Sequence, residues 1–293
     1  MVERIEVEGG TIAFERAGTG PPLVLLHGGL SDHREWRPQI DDLSDGFTVV
    51  AWDTPGCGGS TDPPEPFRMP DYAARLAGFI EALGLDRPHV LGLSWGSTLA
   101  LELYRRRPDL PRTLILTAAY AGWAGSLPAA TVAERLSSSL HDLETMAPED
   151  FVRTWVPSLF THRASDQVIE DYVGVMAGFH PPGVRQMLLA MAEADLTDVL
   201  PTIEVPTLLL YGEEDARSPL PVAEAMHRAT PGSQLMVMPE VGHMSNLEAP
   251  DRFNRAVRRF FEGAARTDVR RHDSRSGRTS AGETEDLPGL DRT

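Results

Sequence analysis

Six short stretches of the chain are apolar at nearly every position. They are Leu23 to Leu26, Phe47 to Trp52, His89 to Leu93, Arg112 to Ala118, Thr207 to Tyr211 and Gln234 to Met238. A strand with one wet face alternates apolar and polar residues, so continuous runs of this kind read as strands covered on both faces. Between them, helical patterns span Asp71 to Leu83, Ser97 to Arg106, Pro221 to Ala229 and Pro250 to Phe261. Strand and helix in alternation predict an α/β fold built on a mostly parallel, doubly wound sheet. Val2 to Glu8 and Thr11 to Ala17 flank Gly9-Gly10 and predict an antiparallel hairpin at its edge.

The alternation breaks once. From Ala121 to Leu200 the pattern offers no strand, only helices over Pro128 to Leu143, Pro148 to Leu159, Asp166 to Phe179 and Pro182 to Ala194. A helical block inserted between two strands of one sheet predicts a cap over the strand ends. The expected organisation is a core of residues 1–120 and 201–263, a helical cap of residues 121–200, and a tail of residues 264–293. The tail is rich in Arg, Ser, Thr, Asp and Gly. It has too few apolar residues to offset its ordering entropy, so disorder is expected there.

Composition narrows the chemistry. A chain of 293 residues buries enough surface to need neither disulfides nor a structural metal. Its net charge of −16 argues against a nucleic-acid partner, whose backbone demands cations. Every basic residue is Arg; the absence of Lys excludes Schiff-base catalysis, pyridoxal anchoring and a P-loop. The single cysteine, Cys57, cannot form an intramolecular disulfide, which fits a reducing compartment. Met1 to Gly20 carries no signal-peptide run, and no stretch approaches the roughly 18 apolar residues of a membrane span. A cytoplasmic protein with no membrane partner is expected; the sequence leaves the oligomeric state open.

The candidate chemistry lies at strand ends. Gly92-Leu93-Ser94-Trp95-Gly96 follows one apolar run and precedes a helical pattern. That is the strand–turn–helix setting of a nucleophile elbow, in which a sharp turn lifts a serine hydroxyl clear of the sheet. A serine needs a base to take its proton. His243 follows the last run in a loop opened by Gly242, and it is the candidate. The base needs a carboxylate to fix its tautomer. Asp215, three residues past Gly212, is the candidate, with Glu213 and Glu214 competing. Negative charge developing on the attacked carbonyl needs fixed donors. The Trp95 N–H is one, and Gly29, in His27-Gly28-Gly29-Leu30, supplies the other. His27 immediately follows a strand and reads as an organiser of that loop rather than a second base. No metal-ligand cluster such as H-E-x-x-H occurs, so no metal or cofactor is expected.

These motifs, in the order nucleophile, acid, base, resemble the α/β-hydrolase superfamily in its capped branch. The resemblance runs from about Val2 to Phe261, and it adds the turn Asp53 to Ser60 to the residues above. It implies a serine hydrolase that cleaves a small, largely apolar ester, thioester or lactone through an acyl-enzyme. Trp95, Trp123, Trp155, Tyr120 and the cap methionines Met146, Met176, Met187 and Met191 are expected either to line the acyl pocket or to pack as plain core. Ser94 to Leu101 is similar to the corresponding segment of proline iminopeptidases, but Leu30 and Thr54-Pro55 depart from their pattern. Iminopeptidase and C–C bond hydrolysis are the alternatives on the same triad, and a slow-turnover ligand receptor a further one. Dehalogenases and epoxide hydrolases of this fold use an aspartate nucleophile, where this chain has Ser94.

Overall fold

The apolar runs form one eight-stranded sheet in the computed structural model, which describes residues 1–276. The strands are β1 (Val2–Val7), β2 (Gly10–Ala17), β3 (Pro22–Leu26), β4 (Thr48–Trp52), β5 (His89–Leu93), β6 (Thr113–Thr117), β7 (Thr207–Gly212) and β8 (Gln234–Met238). Their order across the sheet is β1-β2-β4-β3-β5-β6-β7-β8. β2 pairs antiparallel with β1 and β4, and all other pairings are parallel.

Register stacks apolar side chains in rows: Leu25 faces Leu91, Leu91 faces Ile115, and Ile115 faces Leu208. Every residue of β5, β6 and β7 is buried, which is why those runs do not alternate. β8 departs from that expectation. It is the last strand, its outer side is unpaired, and Val237 is 38% exposed. Winding reverses at β3, which sits between β4 and β5. Ligand crevices of open α/β sheets form at the carboxyl ends of strands beside such a reversal.

Helices fill the connections. They are α1 (Arg37–Leu43), α2 (Met69–Ala82) and α3 (Trp95–Arg106) before the insertion, and α10 (Leu220–Ala229), α11 (Ser245–Glu248) and α12 (Pro250–Ser276) after it. The insertion between β6 and β7 holds α4 (Trp123–Ser126), α5 (Ala129–Thr145), α6 (Pro148–Arg153), α7 (Val156–Leu159), α8 (Asp166–Met176) and α9 (Pro181–Glu193). One predicted helix, Pro148 to Leu159, is broken into α6 and α7. Pro157 has no N–H, and its ring clashes with the carbonyl four residues earlier. The insertion meets the loop after β4 through two glycines: a Cβ on Gly183 would lie 2.4 Å from Gly56 Cα.

Residues Met1–Arg255 form one compact unit, which contains the sheet and the insertion. A second unit begins at Ala256, where α12 continues to Ser276. The segment expected to be a disordered tail, 264–293, is therefore helical as far as Ser276. Ala264-Ala265-Arg266 are strong helix formers, and the next proline is Pro288. Residues 277–293 lie outside the described residues.

Candidate active site

β5 ends at Leu93 and α3 begins at Trp95, so Ser94 alone carries the turn. Its backbone lies at φ 52° and ψ −105°, a region that a non-glycine residue occupies only when its surroundings impose it. Here two glycines set the surroundings. A Cβ on Gly92 would sit 2.3 Å from the Gly96 carbonyl oxygen, and one on Gly96 would sit 2.1 Å from that of Leu26. Strand, turn and helix thus pass backbone against backbone. The Ser94 N–H donates to the Thr117 carbonyl at 2.9 Å. Its side chain makes no capping bond to α3, so the hydroxyl is not committed to the helix.

The carboxylate follows β7 and the imidazole follows β8. His243 Nδ1 lies 2.9 Å from Asp215 Oδ2 and 3.0 Å from Oδ1. A carboxylate only accepts, so Nδ1 carries the proton and Nε2 is the atom left to take one. Both residues are buried. Asp215 is fixed in turn by the backbone N–H groups of Arg217 and Ser218, at 2.9 and 2.8 Å. Glu213 and Glu214 are exposed; Glu214 pairs with Arg163 at 2.7 Å, and Glu213 accepts the Glu240 N–H at 3.2 Å. The His243 loop is tied to the insertion. Glu248 accepts the Gly242 N–H at 3.0 Å and the Thr161 hydroxyl at 2.6 Å, and the Met244 N–H donates to the Leu159 carbonyl at 3.1 Å.

Two candidate backbone donors, on Trp95 and Gly29, belong to residues that line the same cavity. Trp95 is the first residue of α3, so its N–H has no intrahelical acceptor. Gly28 and Gly29 both line the cavity, but Gly28 donates its N–H to Glu35, at 3.2 Å to Oε1 and 3.1 Å to Oε2, which leaves the Gly29 N–H as the candidate donor. His27 holds the loop from behind. Its Nδ1 donates to the Gly28 carbonyl at 2.7 Å, and its Nε2 accepts the Thr54 N–H at 3.0 Å. Both ring nitrogens are used, and burial depresses its pKa, so His27 is a neutral structural residue, as read from the sequence.

One cavity is lined by Gly29, Ser94, Trp95 and His243 together with Trp123, Trp155, Tyr172, Met187 and Met191 of the insertion. Tyr120, Met146 and Met176, expected in this wall, are not part of it. The Tyr120 hydroxyl donates to the Arg217 carbonyl instead, Met176 is buried, and Met146 is exposed. Two wall or loop residues escaped sequence reasoning. Arg217 lines the cavity; its one sequence signal is a cation two places after the candidate acid. Glu35 lies beneath the Gly28 amide, and nothing local marks it. Burial pushes the Cys57 thiol well above its usual range, which disarms it as a nucleophile.

The loop after β4 is pinned by Asp53, which accepts from the His33 N–H at 2.8 Å, His33 Nδ1 at 2.7 Å and the Gly59 N–H at 2.8 Å. Burial alone would lower the His33 pKa, but the bond and charge of Asp53 outweigh it and raise it.

A family model described as "alpha/beta hydrolase fold" matches residues 21–250. The chain belongs to the α/β-hydrolase family. This hydrolase is 30% identical over 264 residues to a pimeloyl-[acyl-carrier protein] methyl ester esterase of Neisseria meningitidis, covering 89% of this chain and 80% of the relative. It is 28% identical over 260 residues to haloalkane dehalogenase 2 of Mycobacterium tuberculosis, covering 85% and 90%. Among solved structures, a thermophilic esterase from Thermogutta terrifontis, with malate bound, superposes with a TM-score of 0.82 at 32% identity, covering 90% of this chain and 99% of that one. The hydrolase has no helix among the described residues long and apolar enough to cross a membrane.

Proposed function

We propose that this α/β-hydrolase is a serine carboxylic ester hydrolase that cleaves small esters, thioesters or lactones through an acyl-enzyme. The observation that carries the reading is that Ser94 and His243 line one cavity, with His243 held from behind by Asp215. In this mechanism Ser94 Oγ attacks the carbonyl carbon and its proton passes to His243 Nε2. The Gly29 and Trp95 N–H groups hold the resulting oxyanion. The C–O bond then breaks, and the imidazolium returns its proton to the departing alcohol. Water attacks the acyl-enzyme, gives a proton to Nε2, and the acid leaves as Ser94 regains its hydrogen. Residues 121–200 act as the cap, and their aromatic and methionine side chains exclude bulk water from the acyl group.

The cavity wall favours this reading over an aminopeptidase. A substrate ammonium needs carboxylates, but no Asp or Glu lines the cavity among the described residues, and Arg217 does. Serine rather than aspartate at the elbow sets the chain apart from the dehalogenase chemistry named for its Mycobacterium relative. The Neisseria and Thermogutta proteins, both esterases by name, support the same bond class.

Labelling with a fluorophosphonate followed by peptide mass spectrometry tests the reading. A single adduct on Ser94 is expected, with p-nitrophenyl butyrate hydrolysis lost in step. Wild-type rates in Ser94→Ala would overturn it.

A further inference from the structure

The cavity is apolar over most of its wall, yet an arginine, Arg217, is among its lining residues. Arg217 leaves the candidate acid's loop and lays its planar group on Trp155, with Cζ 3.8 Å from the ring centroid. Nη1 donates to Ser158 Oγ at 3.2 Å. A guanidinium has five N–H donors, and the others meet no acceptor among the described residues. The surface arginines Arg105, Arg107, Arg153 and Arg163 each pair with a carboxylate. Arg217 has no such partner among the described residues.

The nearest carboxylate by sequence is already committed. Asp215 serves His243 Nδ1 and two backbone N–H groups, one of them that of Arg217 itself. Arg135 stands on the outer side and donates from Nη2 to the Arg217 carbonyl at 3.1 Å; it too is unpaired with any described carboxylate. Glu134 and Asp142 line an outer pocket that Arg217 also borders, but they are not part of the inner wall. Burial lowers the Arg217 pKa to about 10, so the group remains cationic at neutral pH. A half-buried cation of fixed orientation, with donors to spare and no carboxylate ion-paired to it among the described residues, is a built receptor for a planar anion, because a carboxylate accepts two parallel guanidinium bonds.

Resting on the serine-hydrolase reading above, we propose that Arg217 binds a free carboxylate on the substrate. The preferred substrates are then esters or lactones that carry a second, ionised carboxyl group, such as half-esters of short dicarboxylic acids. The stack on Trp155 and the bond to Ser158 hold the guanidinium ready, so little side-chain entropy is lost on binding. The carboxylate replaces water on the spare donors and supplies the missing counter-charge. Neutral esters of equal length leave those donors unpaired.

Two matched pairs test this. Mono-p-nitrophenyl glutarate is compared with p-nitrophenyl pentanoate, which places the charge on the acyl side. 3-Carboxyphenyl butyrate is compared with phenyl butyrate, which places it on the leaving side. In the wild type, kcat/KM is expected to favour the anionic member of at least one pair by about tenfold or more, mainly through KM. Arg217→Met should cost the anionic member about tenfold more kcat/KM than its neutral counterpart, and Arg217→Lys should restore part of that difference. As a readout independent of turnover, tryptophan fluorescence of Ser94→Ala should respond to mono-p-nitrophenyl glutarate, and the response should vanish in Ser94→Ala/Arg217→Met. No anionic preference in either pair, or an equal loss on neutral and anionic esters in Arg217→Met, would overturn the proposal. A Ser94→Ala enzyme that still hydrolyses the neutral esters would instead remove the serine mechanism beneath it.

Discussion

Tyr172, from the insertion, donates its hydroxyl to Glu35 Oε2 at 3.1 Å, and the same carboxyl accepts the Gly28 N–H from the loop that bears Gly29. The insertion and the candidate oxyanion loop are therefore coupled through one buried acid. Burial raises its pKa from 4.5 to about 8, against the lowering effect of the Gly28 and Tyr172 bonds.

That coupling makes stability depend on pH. Between the unfolded pKa of 4.5 and the folded value of about 8, the folded state keeps a proton that the unfolded state has lost. Stability gained from the protonated carboxyl is complete below this window. It declines as pH rises, by up to about 1.4 kcal/mol per unit, and levels off above it. Glu35→Gln keeps an acceptor for Gly28 and removes the titration. Thermal melts from pH 5 to 9 should show a flatter profile for the variant and a higher Tm than wild type at pH 8. Parallel profiles would show that Glu35 does not titrate in this range.

Asp215 and its acidic neighbours are separable by experiment. Asp215→Asn keeps the shape but presents an amide to Nδ1, and kcat for an activated ester should fall by about 10³ to 10⁴. Glu214→Gln breaks only an exposed pair with Arg163 and should change kcat less than about twofold. The reverse ranking would move the acid role to Glu214.

Glu248 holds the His243 loop to the insertion without lining the cavity. Glu248→Ala frees the Gly242 N–H and the Thr161 hydroxyl, so the base should lose its placement more than the fold loses stability. A fall in kcat of about tenfold or more, with KM little changed, is expected in steady-state kinetics. Unchanged kcat would show that the loop is held adequately by the Met244–Leu159 bond alone.

The elbow glycines and Gly29 should respond oppositely to a methyl group. Gly96→Ala drives Cβ against the Leu26 carbonyl oxygen, and urea unfolding should show a loss of about 3 kcal/mol or more. At Gly29 the nearest atom to an added Cβ is Met187 Sδ at 3.7 Å, an ordinary contact. Gly29→Ala should fold as the wild type does and keep its backbone donor.

The sequence made the sheet readable because burial of β5, β6 and β7 on both faces leaves no polar position to interrupt a run. The sharp turn at Ser94 was equally legible, since the residues that impose it lie within five consecutive positions. β8 reads the same way but has an open side, because its place at the sheet edge is set by topology. Helix breaks such as that at Pro157 are local and visible on closer inspection. Glu35 and Arg217 are different. The meaning of Glu35 depends on Tyr172, 137 positions away, and that of Arg217 on Trp155 and on a wall without acids among the described residues. No window of sequence contains either relationship.

The order in which the strands occur along the chain also has a consequence during synthesis. On the proposed mechanism, the Ser94 hydroxyl emerges from the ribosome with β5, but the imidazole that would activate it follows β8, the last strand and the far edge of the sheet. For most of its translation the nascent polypeptide therefore carries an unarmed nucleophile. Products of premature termination before β8 should be inert toward the cell's esters.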